Sequence, residues 1–160
     1  MPHVAGRFVT AVLVGLALAL AIPVHAQSHF EGDIGPGSTY EIDLPAVWNH
    51  SLVLYAHGLV QADLPVVSPS ELPEFDTIRT ALLSSGFAVA ASCYSSNGWA
   101  LADAVRRTHQ LSGIFRPKVG SPRRTFLIGA SLGALVAVKL AETQARQYDG
   151  VLALCGPLGG

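Results

Sequence analysis

The chain has 160 residues, half of them hydrophobic, with 10 Lys and Arg against 11 Asp and Glu and a formal net charge of −1. That size permits one globular domain with a sizeable core. It shows no basic face, low-complexity tract or internal repeat, so nucleic acid is not expected as a partner, because phosphate binding depends on clustered Lys and Arg.

Residues 1–26 read as a secretory signal peptide: a short basic start with Arg7, an apolar run from Phe8 to Ile22, then Pro23 and the small-residue cleavage site Val24-His25-Ala26. The run is shorter than the ~20 apolar residues of a spanning helix, and Thr10 and Gly15 dilute it, so no stable membrane span is expected once it is removed. Its loss takes away Arg7 and no acid, leaving nine basic against eleven acidic residues, a formal charge of −2. A secreted or periplasmic location is the expectation, with a neutral or apolar small molecule, or a peptide, as substrate. Export also places Cys93 and Cys155 in an oxidising compartment where pairing is open to them.

From Tyr40 onward, strand-like and helix-like stretches alternate, which predicts an α/β fold with a mostly parallel sheet flanked by helices. Strands are predicted at Tyr40 to Leu44, Leu52 to Ala56, Phe87 to Ser92, Thr125 to Ile128 and Val151 to Leu154. The last four are short apolar runs, as expected of strands buried on both faces. Helices are predicted near Thr77 to Ser85, Ala100 to Phe115 and Leu132 to Gln147. Asp76 is placed to cap the first and Gly86 to end it. In the last, Ala134, Ala137 and Ala141 form a small-residue face able to lie close on the sheet. Asp103 and Arg107, four apart, predict an exposed ion pair. The Pro-containing connection from Leu59 to Phe75 is long for such a fold and is expected to help form a pocket at the carboxyl ends of the strands. Trp99 reads as a packing residue.

The most informative stretch is Gly129-Ala130-Ser131-Leu132-Gly133, between a strand-like and a helix-like run. A serine hydroxyl is a poor nucleophile unless held rigidly beside a base and oxyanion donors, and a sharp strand-to-helix turn holds it so. Gly129 and Gly133 would let strand and helix approach closely around that turn. Capping a helix needs neither glycine. The pattern therefore points to Ser131 as a nucleophile.

With this elbow, and with His57-Gly58 following the apolar strand Leu52 to Ala56, the chain resembles the α/β-hydrolase superfamily from about Tyr40 to Gly160. Ser95-Ser96-Asn97-Gly98-Trp99 and Cys155-Gly156-Pro157 make it similar to secreted bacterial esterases and prolyl-oligopeptidase-like serine hydrolases. The resemblance implies a domain over 27–160 that cleaves an ester or peptide bond through an acyl-enzyme. It implies the backbone amides of Leu59 and Leu132 as oxyanion donors, and His57 and Gly58 as shapers of the oxyanion loop rather than His57 as the base. It implies no cofactor. The family's strand order sets Cys93 and Cys155 about three sheet spacings apart, too far for a disulfide. Neither cysteine has the spacing of a metal site, and no metal is expected.

The departure from the family is equally specific. Its order is serine, acid, histidine, yet no histidine follows Ser131, and the downstream acids Glu142 and Asp149 fall in a helix and ahead of a strand. The expectation is a sequence truncated after the sixth strand. The alternative is a noncatalytic, hydrolase-derived binding module.

Overall fold

A computed structural model describes residues 28–159, so the signal-peptide reading of 1–26 lies outside the described residues. Six strands form one sheet: β1 (Ser28–Gly35), β2 (Ser38–Leu44), β3 (Ser51–Ala56), β4 (Ala88–Ser92), β5 (Arg124–Ala130) and β6 (Gly150–Leu154). Three helices connect them: α1 (Pro73–Ser84), α2 (Leu101–Val119) and α3 (Leu132–Thr143). The spatial order is β1-β2-β4-β3-β5-β6. β3 pairs in parallel with β4 and β5, and β5 with β6, while β2 pairs antiparallel with β1 and β4.

The apolar runs of β3 and β4 are buried throughout and feed two cores by strand alternation. Leu52, Leu54, Ala88 and Ala90 face α2 and α3, meeting Leu111, Phe115, Val136 and Leu140. Val53 and Tyr55 point to the other side with Val89, where Tyr55 and Val89 pack with Leu72 and Phe75 at the start of α1. Ala134 and Ala137 are fully buried, as the small-residue face of α3 predicts.

Several expectations are corrected. β1 was not anticipated, and it forms a hairpin with β2 through a turn in which Gly37 has φ 67°. α1 begins at Pro73, a position where proline's fixed φ and missing N–H are harmless, so Asp76 is not its cap. Asp76 pairs instead with Arg79 at 2.6 Å. Gly86, at φ 82°, does follow the end of that helix. α2 runs on to Val119 and α3 ends at Thr143, followed by a 3-10 turn at Ala145–Gln147. β6 is apolar but not buried on both faces: Val151 and Leu152 are exposed at the sheet edge. Trp99 is 65% exposed and does not act as a packing residue.

Arg107 is the largest correction. It is buried rather than exposed, because its guanidinium reaches under the hairpin to donate to the Ile34 carbonyl at 2.7 Å and to Ser95 Oγ at 2.8 Å. Asp103 lies 3.4 Å from its Nε and accepts from the Ser95 amide at 2.7 Å. Burial pushes the Asp103 carboxyl up, but the Ser95 amide together with Arg106 and Arg107 outweighs it and holds the group below its ordinary value. This ties β1, the β4–α2 loop and α2 together.

Candidate active site

The carboxyl ends of β3, β4, β5 and β6 converge on Ser131. At the β5–α3 junction the chain turns within one residue, and Ser131 takes φ 53° and ψ −117°, outside the regions open to a residue with a Cβ. Such a conformation costs on the order of 1–3 kcal/mol and persists only where the surroundings enforce it. Those surroundings are specific. The Ser131 amide donates to the Leu154 carbonyl at the end of β6 at 2.9 Å, and Ala134 N–H donates to the Ser131 carbonyl at 3.0 Å. The side chain is exposed and caps nothing.

The two glycines are required by contact. A Cβ on Gly129 would stand 1.9 Å from the Gly133 carbonyl oxygen, and one on Gly133 would stand 1.9 Å from the Ala56 carbonyl oxygen. Both obstacles are backbone and cannot swing aside. Strand β5, helix α3 and the end of β3 thus meet at a spacing only glycine permits.

The His57-Gly58 loop lies against this turn, since a Cβ on Gly58 would be 3.5 Å from Ser131 Cβ. His57 is 4% exposed, and its ring stacks on Tyr94 with centroids 3.8 Å apart. Tyr94 Oη donates to the His57 carbonyl at 3.0 Å, and burial pushes its pKa well up, so it stays a neutral donor. Burial pulls the His57 pKa down against smaller upward contributions from the Gly58 carbonyl and Glu74. The ring is therefore neutral near pH 7, with Nδ1–H donating to the Gly58 carbonyl at 2.7 Å. Its Nε2 is buried without a hydrogen-bond partner.

Among the described residues, neither the Leu59 nor the Leu132 amide is taken up by a backbone acceptor in a turn, loop or cap. Leu132 opens α3, where first-turn N–H groups have no intrahelical partner. Leu59 is half-exposed and borders a cavity of about 510 Å³, shared with Val60, Leu64, Val67, Leu72 and Glu74. The Leu59 to Phe75 connection walls this cavity. The Ser95 to Trp99 loop is fastened to it: Gly98 N–H donates to the Val60 carbonyl at 2.8 Å, and Asn97 Nδ2 to the carbonyls of Leu64 at 2.8 Å and Pro65 at 3.1 Å.

Four histidines lie among the described residues, and none hydrogen-bonds to Ser131. His29 meets Asp43 on the far edge strands, His109 meets Tyr148 at 3.0 Å, and His50 precedes β3 at the opposite end of the sheet. Asp149 also stands at that opposite end, accepting from the Thr125 amide at 2.8 Å. Cys93 and Cys155 are both free thiols, at the ends of strands three places apart. Sequence reasoning missed Tyr94, whose position two residues after the end of a predicted buried strand was the available signal. It also missed Arg107 as an internal brace, for which no local signal exists.

This arrangement, a mostly parallel sheet with a strained serine at the turn from its fifth strand into a helix, is the α/β-hydrolase fold. No protein-family model matches the chain. It is 31% identical over 126 residues to an o-phthalyl amidase of Xanthobacter agilis, covering 77% of this chain and 26% of that protein. Among solved structures, it superposes on a highly thermostable carboxyl esterase from Bacillus coagulans with a TM-score of 0.60 and 17% identity, over 79% of this chain and 43% of the other. It superposes equally, at TM-score 0.60 and 16% identity, on a serine hydrolase without lid from Xanthomonas campestris, over 83% of this chain and 62% of that one. The chain thus spans about a quarter of the curated relative. Among the described residues no helix is long and apolar enough to cross a membrane.

Proposed function

We propose that this chain carries the nucleophile of an exported serine hydrolase that cleaves a carboxylic ester, or an amide such as a peptide bond, through an acyl-enzyme at Ser131. In this reading Ser131 Oγ attacks the acyl carbon, the alcohol or amine leaves with a proton, and water then releases the acid. The Leu59 and Leu132 amides receive the developing oxyanion, and His57 and Gly58 hold the Leu59 amide in place. The observation that carries the reading is the exposed Ser131 at φ 53°, ψ −117°, a strain with no structural use, since the side chain caps nothing. The esterase and amidase likenesses support the same chemistry. Export is proposed from the composition of residues 1–26.

The Oγ proton needs an acceptor, and none of the described histidines reaches it. The 160-residue chain is therefore expected to turn over several orders of magnitude more slowly than a hydrolase with its full triad. The same observation favours the second reading, a binding module that keeps the crevice without the chemistry. A fluorophosphonate probe followed by intact-mass analysis separates them. With no base in reach, the hydrolase reading expects one adduct on Ser131 that forms several orders of magnitude more slowly than in a full triad, is read after prolonged incubation, and is absent from Ser131→Ala. If the wild type stays unmodified after that prolonged incubation, labelling no faster than Ser131→Ala while still binding a p-nitrophenyl ester, the nucleophile assignment fails and the binding module stands.

A further inference from the structure

The β1–β2 hairpin lies at the edge of the sheet remote from Ser131. Its register sets His29 opposite Asp43, Glu31 opposite Glu41 and Asp33 opposite Thr39. Side chains alternate along a strand, so His29, Glu31, Asp33, Glu41 and Asp43 share one face. Four carboxylates on one two-stranded ribbon, two of them directly opposed, repel one another. Two of the four are also buried, with Glu41 and Asp43 each 3% exposed.

These buried carboxylates are half satisfied. Glu41 Oε1 accepts from the Ser70 amide at 3.1 Å and from Ser70 Oγ at 2.7 Å, while its Oε2 has no hydrogen-bond partner. Asp43 Oδ1 meets His29 Nδ1 at 2.8 Å, while its Oδ2 is buried without a hydrogen bond. Arg79 offers only partial compensation: its Nη1 is 3.7 Å from that oxygen and its Nη2 is engaged by Asp76. One donor atom from each of His29, Glu41 and Asp43 lies within 4.8 Å of the other two. Beside them, Glu31, Asp33, Thr39, Glu41 and Ser68 line a polar cavity of about 300 Å³ that offers a way in from solvent.

We propose that His29, Glu41 and Asp43 bind a first-row divalent cation of the zinc type, in a site separate from Ser131 that pins the edge hairpin to the sheet. One imidazole and two carboxylates make a mixed nitrogen and oxygen set that suits zinc better than calcium, which takes oxygen alone. The cation takes the place of the proton shared between His29 Nδ1 and Asp43, giving the orphaned carboxylate oxygens a partner. On the far side of the ring, Nε2 stands 3.5 Å from Glu31, the carboxylate–histidine–metal arrangement that orients a ligating imidazole. No cysteine is involved, so the cysteine spacings that predicted no metal do not bear on it.

The test is calorimetric titration of the EDTA-treated full chain with ZnCl2 and, separately, CaCl2, with CoCl2 absorption in the visible to report ligand geometry. One Zn2+ per chain is expected, bound at least tenfold tighter than Ca2+, with a Zn2+-dependent rise in melting temperature. Glu41→Gln keeps the Ser70 contacts and the side-chain shape, and it and His29→Ala should each weaken Zn2+ by tenfold or more and remove the Co2+ bands. His109→Gln should change neither. Absence of Zn2+ binding, equal affinity in wild type and both variants, or tighter binding of Ca2+ than Zn2+ would overturn the proposal.

Discussion

Gly129 and Gly133 meet across the elbow so closely that a Cβ on the first would stand 1.9 Å from the carbonyl oxygen of the second. Gly133 is pressed with equal tightness against Ala56. Alanine at either position must force backbone apart, so Gly129→Ala and Gly133→Ala should each cost about 3 kcal/mol or more, read as a lower urea midpoint or insoluble expression. Gly58→Ala makes only ordinary contacts at 3.5 Å and serves as the near-neutral comparison.

Ser131 holds a conformation that glycine adopts freely. Ser131→Gly should therefore stabilise the fold by about 1 kcal/mol while abolishing fluorophosphonate labelling, and Ser131→Ala should abolish labelling without the stability gain. Urea unfolding of the three proteins under one condition decides it. A midpoint in Ser131→Gly no higher than wild type would show that the turn stores no strain.

Arg107 braces the hairpin from below. Arg107→Met removes its donors to Ile34 and Ser95 and leaves Asp103 partly buried beside an apolar chain, a change expected to cost about 2–4 kcal/mol. Lysine lacks the planar fork, so Arg107→Lys should recover less than half of that loss. Hydrogen exchange should locate the loosening in β1 and the Ser95 to Trp99 loop.

His57 is buried neutral, its folded pKa lying below the ordinary 6.5. The unfolded chain then takes up this proton first on acidification, so stability falls as pH drops through about 6.5 and levels off below the folded pKa. The slope from one proton is at most about 1.4 kcal/mol per pH unit. Urea midpoints at pH 7.5 and 5.5 should fall further for wild type than for His57→Asn, which has no proton to gain. Parallel losses in the two would remove His57 from the account.

Strand β6 exposes Val151, Leu152 and Leu154 on an open edge, next to an apolar trough of about 350 Å³ formed with Val53, Leu82, Phe87 and Phe126. Unpaired apolar edges template association. The 160-residue chain is expected to self-associate at micromolar concentration, and Leu152→Lys to shift sedimentation velocity toward the monomer.

The parallel strands and the elbow were legible because each is a local pattern: an uninterrupted apolar run, or glycines flanking a serine. β1 was missed because Gly32 interrupts its alternation of Phe30 and Ile34 with His29, Glu31 and Asp33. The start of α1 is hard to place from sequence because Asp76 has the chemistry of a cap, while Pro73 closes a Pro-containing stretch that reads as loop. His29, Glu41 and Asp43 are up to fourteen positions apart and become neighbours only through strand pairing. Arg107 finds its acceptor at Ile34, 73 positions away. Such partnerships have no signature in the chain's order.

Because Asn97 and Gly98 grip the carbonyls of Leu64, Pro65 and Val60, the two sides of the crevice form a single stapled rim. Grafting either segment alone from a relative would sever three anchor points at once. Any attempt to retune what this mouth admits has to exchange both as a matched pair.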